Sequence, residues 1–336
     1  MSIAEQLCKN LDLKEINKSK SGSLLIFSKN YTAEKFEDFF GIKRNINFEE
    51  AFNVVTSGPG KEIKKINSVH SSSLLSLLFF YPLYNNDSKD VFIQFHDNEE
   101  LKDIRFTKCL FEVRNRVICK PSCIDVVLIS EDEKTLLYLE SKLGEYLTVD
   151  TEKIFGKGYL ELYKALNKER ILTPIVLDEK NDKKTVLRCD TPCYIDGIKQ
   201  SISHLIGLIK GPTNEKVQNP KADDYVLKEY EYYRRLYNQR DNRIFYNTII
   251  YNPQVLNLTE ETTRFKNYVS LYKTIIGERG NDIMRIIKKK FKCSGENKTI
   301  TVMKTPLTYN EVFGEYLSSS YISILENTKI KTFYSL

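Results

Sequence analysis

Asp125, Glu140 and Lys142 are the residues of this chain whose types and spacing could do chemistry together. They lie in the run S-C-I-D-V-V-L-I-S-E-D-E-K-T-L-L-Y-L-E-S-K over residues 122–142, two apolar stretches around a polar turn. Two carboxylates and an ammonium at one edge of a sheet suit phosphodiester hydrolysis. That reaction puts negative charge on a centre that is already anionic. Hard oxygen ligands select magnesium or manganese. Such an ion acidifies bound water and offsets the developing charge. Lys142 would orient the attacking water or stabilise the transition state.

The elements that must position these groups are two strands. Side chains alternate faces along a strand. Cys123, Asp125, Val127 and Ile129 therefore share a face of the first, and Leu136, Tyr138, Glu140 and Lys142 a face of the second. Pairing Asp125 with Glu140 puts the turn between Asp132 and Glu133, inside the only strongly polar run of the segment. Opposed Cβ atoms are roughly 4.5–5.5 Å apart, so both carboxylates could hold one ion. The turn lacks Asn-Gly or Asp-Gly, which leaves a longer loop and a shifted register open. Both strands are apolar enough to be buried on both faces. Charges ending a buried strand must pair or bind something. For the E-x-K alone, a solvated strand end is the plain alternative.

Ser122, Asp125, Glu140 and Lys142, in the order S-x-x-D then E-x-K, resemble the core of the PD-(D/E)XK nuclease superfamily. The family's proline is displaced here to Pro121, four residues before the aspartate. The resemblance spans about residues 70–210 and extends to uncharacterised bacterial restriction-endonuclease-like proteins. It implies an α/β fold, a central mixed β-sheet flanked by helices, with N- and C-terminal extensions. It implies Mg2+ or Mn2+ held by Asp125, Glu140 and the backbone carbonyl of Ser141, with Lys142 acting on the water. Gln200 and His204 fit the Q-x-x-x-(Y/H) helix of the exonuclease-type branches. On a helix they lie one turn apart and face the same way. Gln200 would position water, substrate or Lys142, and His204 would approach substrate.

The implied function is a divalent-metal-dependent nuclease hydrolysing DNA, an endonuclease in restriction or phage defence, with RNA open as a substrate. Lys142→Ala is expected to fold normally and to be inert. A homodimer is possible, because double-strand cutters of this kind often pair two subunits. One alternative is a catalytically silent nucleic-acid-binding module on the same fold, against which the complete Asp/Glu/Lys set argues. Another is an unrelated globular protein whose acidic hairpin is structural.

Composition agrees without deciding. The 336 residues are 41% hydrophobic, with 51 basic against 45 acidic side chains and a net charge of +6. That bias is mild for a nucleic-acid protein, yet compatible with a local basic groove. The longest apolar stretch, residues 74–83, is too short to span a bilayer. No secretory signal is expected in residues 1–10, and a cytoplasmic location follows. H-E-x-x-H, G-x-S-x-G and G-x-G-x-x-G are absent from the sequence. Cys119/Cys123 and Cys189/Cys193 are C-x-x-x-C pairs, read as reduced structural cysteines rather than as a metal cluster.

A single α/β domain is expected, with a nuclease core at about 70–210, a helical N-terminal segment 1–69 and a C-terminal extension 211–336. Helices are expected over 70–81, with His70 as cap or near the site, over 151–167 and from about 198. Strands are expected at 91–95, 106–118, 172–177, 185–189 and 244–251. Residues 57–61 fail the phosphate-loop pattern and read as a turn, as do residues 178–184. Glu112 reads as a further metal ligand or as part of a salt-bridged ladder with Arg114 and Arg116, which could otherwise contact phosphate. Tyr194 would stack on a base or pack. The Tyr/Arg run of residues 225–243 favours an amphipathic packed helix over base stacking. Lys288, Lys289, Lys290 and Lys292 read as a solvated helix end.

Overall fold

The computed structural model describes residues 2–10, 17–18, 24–27, 31–43, 46–57, 65–118, 121–144, 147–178, 184–213, 224–291 and 298–336. In chain order the main elements begin with α1 (Ile3–Asn10), β1 (Asn17–Lys18), β2 (Leu24–Leu25), α2 (Ala33–Phe40), α3 (Ile46–Thr56) and α4 (Ser72–Phe80). Next come β3 (Phe106–Asn115), β4 (Ser122–Ser130), β5 (Thr135–Lys142), β6 (Asp150–Phe155), α5 (Leu160–Lys168), β7 (Val176–Asp178), β8 (Thr185–Cys193) and α6 (Ile195–Lys210). The chain closes with α7 (Asp224–Asn238), β9 (Arg243–Ile250), α8 (Thr259–Tyr272), α9 (Gly280–Phe291), β10 (Ile300–Val302), β11 (Leu307–Thr308), α10 (Ser319–Glu326) and α11 (Ile330–Tyr334).

The main sheet is mixed, in the order β10-β9-β5-β4-β3, with β11 also pairing β9. β3, β4 and β5 form an antiparallel meander, and β9 lies parallel to β5. Every residue of β5 is buried. A strand with neighbours on both edges and cover on both faces is buried along its length, and here that burial takes in Glu140, Ser141 and Lys142 as well as the apolar run 136–139. Alternation along β5 separates the cover. Ser141 Oγ donates to the carbonyl of Ser72 in α4 at 3.1 Å, whereas Glu140 meets Gln200 of α6. Neighbouring side chains point to opposite faces, so α4 and α6 lie on opposite sides of the sheet. The fold is therefore α/β, a mixed central sheet flanked by helices.

The C-terminal residues do not form an appendage. Residues 243–250 supply the strand beside the E-x-K strand, with Thr248 in register with Glu140 and Ile250 with Lys142. Tyr251 N–H donates to the Lys142 carbonyl at 2.8 Å and continues that pairing past the strand end.

Several local expectations change. The helix expected over 151–167 is a strand to Phe155 and a helix only from Leu160. Residues 152–155 pair with β8, and Gly156 is extended (φ −64°, ψ 149°), which breaks the helical run. Of residues 172–177, only 176–177 lie in a strand, because the end of α5 uses Arg170 in a left-handed turn (φ 52°). Residues 91–95 make isolated bridges, Ile93 to Phe106 and to Leu317, and no continuous strand. The strand expected to reach residue 118 stops at Asn115. The cap of α4 is Ser71, whose side chain accepts the Leu74 N–H, and His70 is exposed. Residues 58–61, 179–183, Cys119 and Lys292 lie outside the described residues. A separate antiparallel sheet, β6-β8-β7, packs against α6 through β6. Among the described residues no helix is long and apolar enough to cross a membrane.

Candidate active site

The β4–β5 hairpin has the register its polarity requires. Val126 faces Leu139, Val127 faces Tyr138, Leu128 faces Leu137 and Ile129 faces Leu136. The turn closes with the Glu133 N–H on the Ser130 carbonyl (2.9 Å) and Glu133 left-handed at φ 57°. Beyond the Val126–Leu139 pair a side chain replaces the ladder. The Ser141 N–H donates to Asp125 Oδ2 at 2.7 Å. Asp125 is thereby fixed to the backbone between Glu140 and Lys142.

Glu140 is the centre of the cluster and only 3% exposed. Lys142 Nζ lies 2.6 Å from its Oε1, and Gln200 Nε2 donates to the same oxygen at 2.5 Å. His204 Nε2 lies 3.0 Å from Oε2, off the ideal hydrogen-bond direction. Its Nδ1 is 2.5 Å from Ser122 Oγ. Burial alone would raise the Glu140 carboxyl. The Lys142 ammonium and the His204 ring more than reverse that and hold it at about 2. Gln200 and His204 meet one carboxylate because they are one helical turn apart on one face of α6. Ser141, between the two charges, is clamped from the other side: its Oγ also lies 2.6 Å from the Tyr309 hydroxyl.

The apolar positions 195, 198, 202, 205, 206 and 208 form the buried stripe that lays α6 on the sheet. Gly207 allows the close approach. A Cβ there would sit 2.9 Å from Asn115 Cβ and 3.5 Å from Ser122 Cβ. Gly207→Ala should push α6 off β3 and β4 and cost about 1–3 kcal/mol, the usual range for overpacking. Urea unfolding would measure the cost, and loss of protection at the Gln200 side-chain amide would report the separation from Glu140.

The remaining candidates divide. Glu112 falls between the pairs Phe111–Val126 and Val113–Ile124, a register that sets it opposite Asp125. Its backbone is left-handed (φ 50°), which costs a non-glycine residue on the order of 1–3 kcal/mol. Arg114 reaches the Ser57 carbonyl (3.5 Å) and Arg116 the Lys210 carbonyl at the end of α6 (2.6 Å). Arg114 of β3 thus reaches the residue after α3, and Arg116, just past β3, reaches the last residue of α6. Tyr194 is buried edge-to-face against Tyr268, with centroids 5.7 Å apart, so it packs. Tyr233 and Tyr237 of α7 are buried as well, while Arg234 and Arg235 lie exposed over Tyr230 and Tyr232. Cys189 and Cys193 are buried, and burial, with the neighbouring Cys189 thiol, pushes the Cys193 thiol up to about 12. Among the described residues no three His, Cys, Asp or Glu side chains gather at metal-ligand spacing.

No family model, curated protein or solved structure matches this chain.

The donor set suits a hard divalent ion in its chemistry. It offers carboxylates from paired strands, one of them anionic far below neutral pH and already neutralised by a cation, Lys142. An ion would have to displace the Lys142 ammonium from Oε1, which could keep the hydrogen bond from Gln200. Sequence reasoning missed Ser72, Tyr309 and Thr248 around the E-x-K. They come from distant segments and carry no local pattern.

Proposed function

We propose that this chain is a divalent-metal-dependent nuclease that hydrolyses DNA phosphodiester bonds internally, on a restriction-endonuclease-like fold. One observation carries the reading. Lys142, Gln200 and His204 converge on Glu140, and Asp125 is bonded to the backbone N–H between Glu140 and Lys142. A buried carboxylate is costly, and a fold needing only stability is commonly as well served by apolar residues. Asp125, Glu140 and the Ser141 carbonyl would hold Mg2+ or Mn2+, with Glu112 as a further carboxylate. When bound, the ion supplies charge neutralisation and a more acidic water.

The protein's own groups do the rest. His204, with Ser122 on its other ring nitrogen, stands 3.0 Å from Glu140 Oε2 and would align with it as the site closes on substrate. Gln200 steadies Oε1 while Lys142 turns from the carboxylate toward the scissile phosphate. There the ammonium donates to the attacking water or to a non-bridging oxygen as charge develops.

The second reading is a nucleic-acid-binding module without chemistry. It is favoured by the ammonium lying directly on Glu140 and by the lack of a three-ligand group among the described residues. Supercoiled plasmid incubated with Mg2+ or Mn2+ separates the two. Nicked and linear products are expected, and Glu140→Gln or Asp125→Asn should slow their formation by about 10²-fold or more. Binding without cleavage in any divalent ion would favour the silent module. Neither binding nor cleavage would remove both.

A further inference from the structure

Glu229 of α7 is a buried carboxylate for which the proposed chemistry has no use. Its Oε1 accepts the Phe111 N–H at 2.9 Å, and its Oε2 accepts the Tyr84 hydroxyl at 2.8 Å. The Tyr84 and Phe111 rings lie 5.8 Å apart, so the carboxylate sits in a socket built by both. β3 ends the sheet, and an edge strand leaves alternate N–H groups without a strand partner. Glu229 takes one of them.

The residue after Phe111 is Glu112, with φ 50°. Its far side is gripped too. The Thr213 N–H donates to the Arg114 carbonyl (3.2 Å), the Arg116 N–H to the Gly211 carbonyl (2.9 Å), and the Tyr233 hydroxyl to Asn115 Oδ1 (2.6 Å). A left-handed non-glycine residue persists only where its surroundings over-determine it, and such residues gather at functional sites. Two of the grips, Glu229 and Tyr233, come from one helix.

We propose that Glu229 is a positioning residue for the metal-binding edge: by holding Phe111 it fixes the left-handed turn at Glu112 and so the placement of Glu112 opposite Asp125. This rests on the nuclease reading. The acceptor oxygen does the holding, so an amide at position 229 should serve as well as a carboxylate.

The test is Mn2+ affinity of the full chain, followed by the paramagnetic resonance of free Mn2+, alongside kcat and KM for plasmid. Glu229→Met should weaken Mn2+ binding by about 10-fold or more, in the range seen when supporting partners of metal ligands are removed. KM for plasmid should stay unchanged, and Glu229→Gln should bind Mn2+ as the wild type does. Wild-type affinity in Glu229→Met, or an equal loss in Glu229→Gln, overturns the proposal and leaves the nuclease reading standing. If Glu229→Met does not fold by circular dichroism, Tyr84→Phe decides. With Oε2 released, Mn2+ affinity is expected to fall measurably below that of the wild type, and an unchanged affinity overturns the proposal. A wild-type chain that neither binds Mn2+ nor cuts DNA ends both readings.

Discussion

Lys142→Ala is expected to stop DNA cleavage, with a loss of at least about 10²–10³-fold, the range for removing one electrostatic stabiliser. It is also expected to weaken the fold. Lys142 is 7% exposed, and its Nζ lies 2.6 Å from a carboxylate that is itself buried. Removing one partner of a buried pair strands the other, at about 3–5 kcal/mol. The sequence suggested a variant that folds normally. The structure gives the lysine a second duty, so loss of activity in Lys142→Ala alone is ambiguous. The double variant Glu140→Gln/Lys142→Met removes both charges and keeps similar shapes. It should regain most of the stability, since replacing a buried pair is often neutral, and remain inert. Urea midpoints and plasmid nicking on the three proteins test this. Wild-type cleavage by Lys142→Ala would refute the role of the lysine. A double variant as unstable as the single would refute the buried-pair account.

Two buried glutamates should bend the pH dependence of stability in opposite directions from their ordinary value of 4.5. Glu140 is pulled from its ordinary 4.5 to about 2. Its stabilising contribution is full above 4.5 and is lost as pH falls through 2, where the native state must take up a proton. The shift corresponds to about 3 kcal/mol. Glu229 goes the other way. Burial raises it to about 7 from 4.5, against the opposing hydrogen bonds from Phe111 and Tyr84. Between those values the native state keeps a proton that the unfolded chain has released, so stability falls as pH rises, by about 3 kcal/mol at most. Urea denaturation from pH 2 to 8 should show both arms. Glu229→Gln should make the upper arm shallower and Glu140→Gln the lower one, to which Asp132, Glu133 and Asp196, also held below their ordinary values, contribute as well. An upper arm unchanged in Glu229→Gln would refute the assignment to Glu229.

The candidate site was unusually legible because a hairpin is local. Residues 122–142 contain both strands, their turn and the polarity that fixes the register, and the observed pairs from Val126–Leu139 to Ile129–Leu136 follow from them. Gln200 and His204 were legible for a similar reason, since helical periodicity alone sets their common face. Residues 151–155 were misread because I-F-G-K-G-Y-L-E-L-Y carries enough apolar residues for a helix. Their pairing with β8 is a contact between separate segments, and tertiary pairing overrides weak propensity. For Arg114, Arg116 and Tyr194 residue type left a substrate contact and a structural contact equally open. The partners they have in the structure, the Ser57 and Lys210 carbonyls and the Tyr268 ring, come from segments remote in the chain.

The chain's order of residues, taken alone, determined a hairpin with an aspartate on one strand and Glu-Ser-Lys on the other, and a helix carrying Gln200 and His204 on one side. Those features depend on period and local polarity, which act over a few neighbouring residues. Only the tertiary structure decided that Glu140 is the common partner of Lys142, Gln200 and His204. It alone made β9 the neighbour of the E-x-K strand and brought Glu229 to Phe111. Such contacts join segments far apart in the chain, and no local pattern encodes which of many compatible partners burial will select.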